Sequence, residues 1–444
     1  MMKKIVVLGA GHGGVLAAIK LATNGYDVTI LEKAERGQVS HNWEDDIRFD
    51  IFKFLEIDPP PEEVYSQKLK WRFVSPDEKS FLRVPQLPPL EEVSVSRRGL
   101  INYLISLAEK AGVNVKFKIK AVSLNFEDDM VVGVLTEDGQ EFNCDLVIDA
   151  SGLRSPFRGQ LPDSFLVQKQ PDEDDLMQAC RAFYQPADGV AKPDPDNSLT
   201  ILHLDYPGIA WCNHNHLGEV DVLIGRIGSL TEEEAINAIE NLRFSNPILS
   251  DIELKPPTFA EIGVRNPLPV PVADGYAAVG DSAFQAMPLM GSGIEASMKA
   301  GKYLSETIIS AGESKLTAST LWPYQVRFMN DIGAAYMFID VLKRWALSLP
   351  PKQINWLFAS GAISDSDLAM ISTEKDPEAK PGSTGIARKA MILLKNPRLI
   401  GLAAGCLIRA SLAKSIASKI PEKYDIQKIS KWKSKYDGCI DHKI

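Results

Sequence analysis

Lys3 to Leu8 (KKIVVL), followed by Gly9-Ala10-Gly11-His12-Gly13-Gly14, decides the fold. The β-branched, fully apolar run reads as a strand buried on both faces of a parallel sheet. The glycines that follow have separate tasks. Gly9 permits a tight turn, Gly11 lets the backbone approach a pyrophosphate, and Gly14 lets a helix pack close to the strand. Val15 to Thr23 (VLAAIKLAT) has helical periodicity and ends at Asn24-Gly25, a C-cap signal. The N-terminus of that helix presents free N–H groups and a positive dipole end to an anion. His12 and Gly13 complete the turn, with the His12 side chain expected to point away from the phosphates. Asp27 to Leu31 forms a second strand that ends on Glu32, eighteen residues after Gly14, where a carboxylate can accept both ribose hydroxyls. The unit predicts dinucleotide binding and, taken alone, allows either NAD or FAD.

Outward from this unit the chain alternates between nucleotide-domain pieces and insertions. Arg97 to Ala111 reads as a helix, Val113 to Val122 and Val131 to Leu135 as strands, and Leu146 to Asp149 as another buried strand. Tyr276 to Val279 is a further apolar strand, followed by a helix from about Gly293 to Ala311. Between these pieces, Asp58 to Val95 is Pro-rich, and Phe165 to Arg226 alternates like an antiparallel sheet, interrupted at Asp188 to Asn197. Beyond Thr317 the pattern is helical, around Tyr324 to Leu347 and again over Ile386 to Lys419. The expected organisation is α/β: a discontinuous Rossmann-like domain over residues 1–57, 96–160 and 265–315. An antiparallel-sheet substrate domain takes 58–95 and 161–264, and a helical C-terminal region takes 316–444.

Composition narrows the function classes. At 444 residues, 45% hydrophobic and 24% charged, the chain has room for two or three ordinary globular domains. It begins without a signal-peptide pattern, and its five cysteines form no CxxC pair. That spacing argues against a disulfide framework, an iron–sulfur cluster or structural zinc, and fits a reducing cytoplasm. Cys212, His214 and His216 alternate, but no third converging ligand accompanies them, so no metal site is expected. The net charge of −9 is uneven: fourteen Lys or Arg against four acids make Lys380 to Ile444 +10, leaving −19 elsewhere. A basic tail on an acidic body suits a membrane surface or a protein better than nucleic acid. Leu399 to Ile408, ten apolar residues between Arg398 and Arg409, is half a membrane span and fits peripheral contact through the C-terminal helices.

Two later segments turn the balance toward FAD. Leu146 to Ser155 (LVIDASGLRS) resembles the second fingerprint of class A flavoprotein monooxygenases and geranylgeranyl reductases. Gly280-Asp281-Ser282-Ala283 with Pro288-Leu289-Met290-Gly291-Ser292-Gly293-Ile294 resembles their third. The resemblance implies the p-hydroxybenzoate hydroxylase-like architecture, with FAD as the cofactor. Asp281 would hydrogen-bond the flavin's ribityl or phosphate end, and the helix after Gly293 would face its pyrimidine side, where reduction places negative charge. By the same resemblance Lys33, Arg36, Arg97, Ala121, Val122, Ala150, Ser151 and Gly152 join Gly9 to Gly14, Glu32, Gly280, Asp281, Pro288, Gly291, Gly293 and Ile294 around the cofactor.

The resemblance is nearest to the geranylgeranyl reductases, which carry Ala-Ser-Gly as in Ala150-Ser151-Gly152. It implies reduction of carbon–carbon double bonds in an isoprenoid or other apolar substrate, with hydride from flavin N5. Tyr206 to His214 matches the family's substrate segment at Gly208 and Trp211, but Ile209 replaces an aromatic and Asn213-His214 replaces Phe-Pro. Ser40-His41 stands where the family often has Cys-Gly beside the flavin, so the resemblance implies that His41, Asn42, Trp43, Glu44 and Asp45 face the isoalloxazine. His41 is the candidate proton donor, because imidazole titrates near neutrality, and Trp211 and His214 are candidates for the substrate wall. No second GxGxxG unit is present, so electrons would come from transiently bound NAD(P)H or a redox partner protein. A monooxygenase or halogenase remains the alternative, although the tryptophan-halogenase WxWxIP pattern is absent. A non-catalytic electron-transfer flavoprotein is the third reading.

Overall fold

Lys4–Leu8 lies inside a six-stranded sheet, between Leu146–Asp149 on one side and Asp27–Glu32 on the other, parallel to both. The computed structural model describes residues 2–68, 70–84, 91–192, 197–201, 203–215, 217–365 and 396–440. Asn114–Phe117 extends the sheet at one edge; Tyr276–Ala278 and Val272–Ala273 extend it at the other. Ile5, Val6, Val7 and Leu8 are all buried, which is why this run is continuously apolar rather than alternating. The helix His12–Thr23 packs on the sheet with Arg97–Lys110 and Ile294–Ala311. Its contact with the last of these is backbone to backbone. A Cβ on Gly301 would fall 2.2 Å from the Gly13 carbonyl oxygen, so only glycine permits this approach. A meander of Ala121–Glu127, Met130–Thr136 and Glu141–Asn143 sends Leu124, Val131 and Val134 into the same core.

The second layer is a seven-stranded sheet in the order Leu249–Gly263, Leu176–Pro186, Val220–Ile227, Gly208–His214, Asn197–Ile201, Trp71–Val74 and Phe81–Arg83. Its side chains divide with period two. Met177, Ala179, Ile209 and Leu223 face a cluster completed by Leu347, Ile354 and Leu357 of the C-terminal helices. Cys180, Ala182, Ala210, Cys212, Val222 and Ile224 face the helix Glu232–Ser245. That helix was not read from the sequence, although Thr231 and Glu234 form a capping box at its start. The Pro-rich segment divides. Trp71–Val74 and Phe81–Arg83 join the large sheet, whereas Glu92–Ser96 pairs with both Tyr65–Gln67 and Glu44–Arg48 in a small sheet beside the nucleotide domain.

Beyond Thr317 the described residues are helical: Ala318–Phe328, a π turn at Met329–Gly333, then Ala334–Ser348, Pro351–Ser360, Pro397–Ala417 and Ile426–Asp437. Of the expected helix over Ile386 to Lys419, residues 386–395 lie outside the described residues, as does His216. Arg265, Asp175, Arg344, Asp340 and Lys343 form a buried ion network that fastens the Ala334–Ser348 helix to the large sheet. The apolar C-terminal stretch belongs to a helix of 21 residues, so Arg398 and Arg409 lie within it rather than bounding it. By length and composition this helix could cross a membrane. One stripe of it, Cys406, Ala410, Ala413 and Ala417, is buried against the protein, while Leu402, Leu407, Ile408 and Leu412 are exposed.

Candidate active site

A cleft of about 780 Å³ runs along the carboxyl ends of the parallel strands, within the size range of cofactor sites. Gly9, Gly11, His12, Gly13, Glu32, Lys33, Arg97, Ala121, Ala150, Ser151, Gly152, Gly280, Asp281, Gly291, Gly293 and Ile294 all line it, together with His41 and Trp211. Gly9 holds φ +84°, and a Cβ there would meet the Ala150 carbonyl oxygen at 2.7 Å. Gly14 stands behind the wall, where a Cβ would lie 2.5 Å from that of Ala150. Val122 and Pro288 do not line the cleft; Pro288 faces an apolar crevice farther along. Arg36 is also off it. Its guanidinium pairs with Glu109 and lies 4.6 Å from the Phe117 ring centre.

The cleft matches the needs of FAD at four points. The helix beginning at His12 and the helix beginning at Ile294 carry no side-chain cap, and the first residues of both open into the cleft. Apart from Gly13 N–H, which donates to Ser297 Oγ at 3.0 Å, their orphan N–H groups and dipoles form two anion-stabilising ends. Glu32 is buried and held by Ala10 N–H and Ala34 N–H, each at 2.7 Å. Asp281 opens into the same space, and the protein around it raises its carboxyl above the usual range, by burial first, with Arg97 opposing and Asp45 adding. His12 lines the cleft as well. Burial, then the Arg97 charge, lowers its pKa to about 3, so it is a neutral imidazole.

The inner wall is built around Arg181, the lone charged residue on the largely buried strand Leu176–Pro186. Its Nε and Nη2 bind Asp221 at 2.8 and 2.5 Å, and its Nη1 donates to the Glu44 carbonyl at 3.1 Å. The guanidinium stands 5.4 Å from the ring centres of both Trp43 and Trp211. Trp43 is anchored in turn by its Nε1 donating to Thr258 Oγ1 at 3.0 Å, and His41 stacks on it at 4.6 Å. Burial lowers the His41 pKa first, and Arg97 and Arg98 lower it further. His41 is an exposed residue at the outer rim, whereas Asp45 reaches the inner wall. Burial raises the Asp45 carboxyl, with Arg97 and Arg181 opposing.

Behind this wall lies a second chamber. Asp45, Arg181, Trp211 and Met290 are common to both cavities. Asn213, His214 and Asp221 line the inner one alone, so His214 is separated from the cofactor cleft. Its other walls include Glu44, Asp46, Glu92 and Glu295 with Arg48 and Lys68. A narrow apolar crevice between the large sheet and the Ala334–Ser348 helix, lined by Phe73, Met177, Leu199, Ile209 and Leu347, meets both spaces at Met290. Of the inner wall, sequence reasoning missed Arg181 and Asp221, whereas Trp43 and Asp45 belong to the loop that it placed beside the flavin. A single Arg inside the buried-strand pattern LMQACRAFY was the available signal for the first.

Two family models match parts of the chain: an NAD(P)-binding Rossmann-like domain over residues 7–51, and tryptophan halogenase over residues 93–195. Among curated proteins, the digeranylgeranylglycerophospholipid reductase of Sulfolobus acidocaldarius is 22% identical over 84% of this chain and 83% of its own. A second reductase of that name from Methanopyrus kandleri is 26% identical over 88% and 97%. Among solved structures, a geranylgeranyl bacteriochlorophyll reductase-like protein of Thermoplasma acidophilum superposes with a TM-score of 0.73 at 20% identity, covering 91% of this chain and 100% of its own. A flavin-dependent brominase superposes with a TM-score of 0.64 at 15% identity, covering 90% and 100%. The expected FAD-binding α/β architecture is therefore present, and halogenases share it at greater distance. This chain is thus similar along most of its length to proteins named as geranylgeranyl-type reductases, and its cleft has the features that FAD requires.

Proposed function

We propose that this chain reduces a carbon–carbon double bond in an isoprenoid or other apolar substrate. The observation that carries the reading is the apolar crevice of Phe73, Met177, Leu199, Ile209 and Leu347, which reaches the cofactor cleft at Met177 and Met290. The names of the relatives support the same class. FAD, held by the two uncapped helix ends, Glu32 and Asp281, supplies the hydride equivalent when bound. Trp211 and Arg181 confine the substrate against the cleft and keep bulk water from the inner wall. The proton is assigned to Asp45: it borders both cavities, and its raised pKa keeps the acid form available to higher pH than an ordinary carboxylate. His41, stacked at the rim with a lowered pKa, serves to hold Trp43. Electrons reach the cofactor from NAD(P)H or from a redox partner protein.

Anaerobic turnover tests this. With dithionite or NAD(P)H as the electron source and an isoprenoid alkene as substrate, product should form without oxygen. Product that appears only with oxygen would favour a monooxygenase or halogenase, which the halogenase match over residues 93–195 keeps as the second reading.

The exposed Leu402, Leu407, Ile408 and Leu412, on a helix that carries Arg398, Arg409 and Lys414, support a cytoplasmic enzyme in peripheral contact with an anionic membrane.

A further inference from the structure

We infer that the inner chamber receives the polar end of the substrate, and that this end is an uncharged or cationic hydrogen-bond donor, a hydroxyl or an amine, rather than a phosphate. The inference rests on the reductase reading for the reaction and goes beyond it by naming the end group. The chamber's walls carry six carboxylates, among them Asp46, Glu92 and Asp221, against three cations, Arg48, Lys68 and Arg181. Each of those cations is already engaged. Arg48 pairs with Asp50 and Glu91, Lys68 with Asp46 and Glu92, and Arg181 holds Asp221 through both nitrogens of its fork. The carboxylates are paired as well, Asp45 with Arg97 and Glu295 with Lys299, so an anionic head would meet acids in excess with each wall cation already taken, at a cost in repulsion and desolvation.

A separate observation points to a donor. Asn213 is 7% exposed and lines the chamber, and its Oδ1 has no hydrogen-bond partner. A buried acceptor of this kind is costly to leave unmade, so a ligand O–H or N–H is the fitting complement. Carboxylates are acceptors only, which adds to the preference for a donating group. The apolar crevice that meets the chamber at Met290 offers apolar side chains to the carbons of such an amphiphile next to its polar end.

The test uses the FAD-loaded, full-length protein and two ligand series, one on an isoprenoid chain and one on a saturated straight chain, each ending in alcohol, amine or phosphate monoester. Dissociation constants come from perturbation of the bound flavin absorbance and, independently, from equilibrium dialysis. The alcohol and amine should bind at least about tenfold tighter than the phosphate in both series. Asn213→Leu should weaken the alcohol and amine about tenfold and leave the phosphate unchanged. Asn213→Asp should favour the amine over the alcohol. Flavin content and melting temperature verify that each variant is folded. Phosphate binding as tight as the alcohol, no effect of Asn213→Leu, or no binding in either series would overturn the inference. Equal binding of the isoprenoid and saturated chains, with the end-group order kept, would instead count against the isoprenoid reading alone.

Discussion

Arg97 Nε lies 2.9 Å from Asp45 Oδ2, which joins the first residue of the Arg97–Lys110 helix to the strand that divides the cofactor cleft from the inner chamber. The pair couples the two cavities electrostatically, because Arg97 also acts on His12, His41 and Asp281. Its loss should therefore be felt on both sides of the wall.

The division of labour between Asp45 and His41 is open to a pH profile. Asp45 donates as the protonated acid, so the rate should fall as pH rises through its raised pKa. Asp45→Asn should cut turnover by about a hundredfold and flatten that limb, in line with the usual worth of a positioned acid. His41→Gln should keep both the limb and most of the rate. A His41→Gln enzyme that loses the limb would return the proton to His41.

Glu32 should govern cofactor retention. Removing its carboxylate strands the Ala10 and Ala34 N–H groups beside a buried site, at roughly 1–3 kcal/mol. Glu32→Ala is expected to purify largely without flavin and to melt lower, whereas Arg36→Ala, off the cleft, should keep full flavin content. Absorbance at the flavin band against total protein measures both.

His12 predicts how acid acts on stability. Its folded pKa of about 3 lies below the ordinary value of 6.5, so the unfolded chain takes up a proton that the folded chain refuses. Stability is therefore present above about pH 6.5 and is lost as pH falls toward 3, at up to about 1.4 kcal/mol per pH unit from this group. Urea melts at pH 6.5 and 4.5 should show His12→Gln losing less than the wild type by about 2 kcal/mol. Equal losses would refute the assignment.

The Pro397–Ala417 helix offers a test of membrane contact that leaves the core alone. Leu407 and Ile408 are 51% and 69% exposed, so Leu407→Glu with Ile408→Glu should leave the melting temperature within about a degree, as surface changes usually do. The same pair should abolish flotation with anionic liposomes. Unchanged flotation would end the peripheral-membrane reading.

The cofactor half of the site was legible in sequence because backbone makes it. Glycines at a turn, strands of continuous apolar residues and a terminal acid are constraints on neighbours in the chain, and Gly9, Glu32 and Asp281 all reach the cleft. Arg36 fits the same spacing but its partner Glu109 is 73 residues away, and that pairing draws it off the cleft. The substrate half is made by side chains that meet only in three dimensions. Arg181, Asp221, Trp43 and Trp211 come from three strands and a loop, and no local pattern ties them together. The Glu232–Ser245 helix is a different kind of miss, since its capping box was written plainly in Thr231 to Glu234.

The contact between Gly13 and Gly301 has a consequence for how the chain is made. The first helix of the cofactor cradle rests on backbone that lies almost three hundred residues downstream. Emerging from the ribosome, the N-terminal strand–helix–strand unit can meet Arg97–Lys110 and Leu146–Asp149 early, but the face that rests on Ile294–Ala311 stays uncovered until most of the protein has been synthesised. A fragment ending before residue 301 should thus behave as an unfinished core. The cradle closes late, so FAD should be acquired near the end of folding.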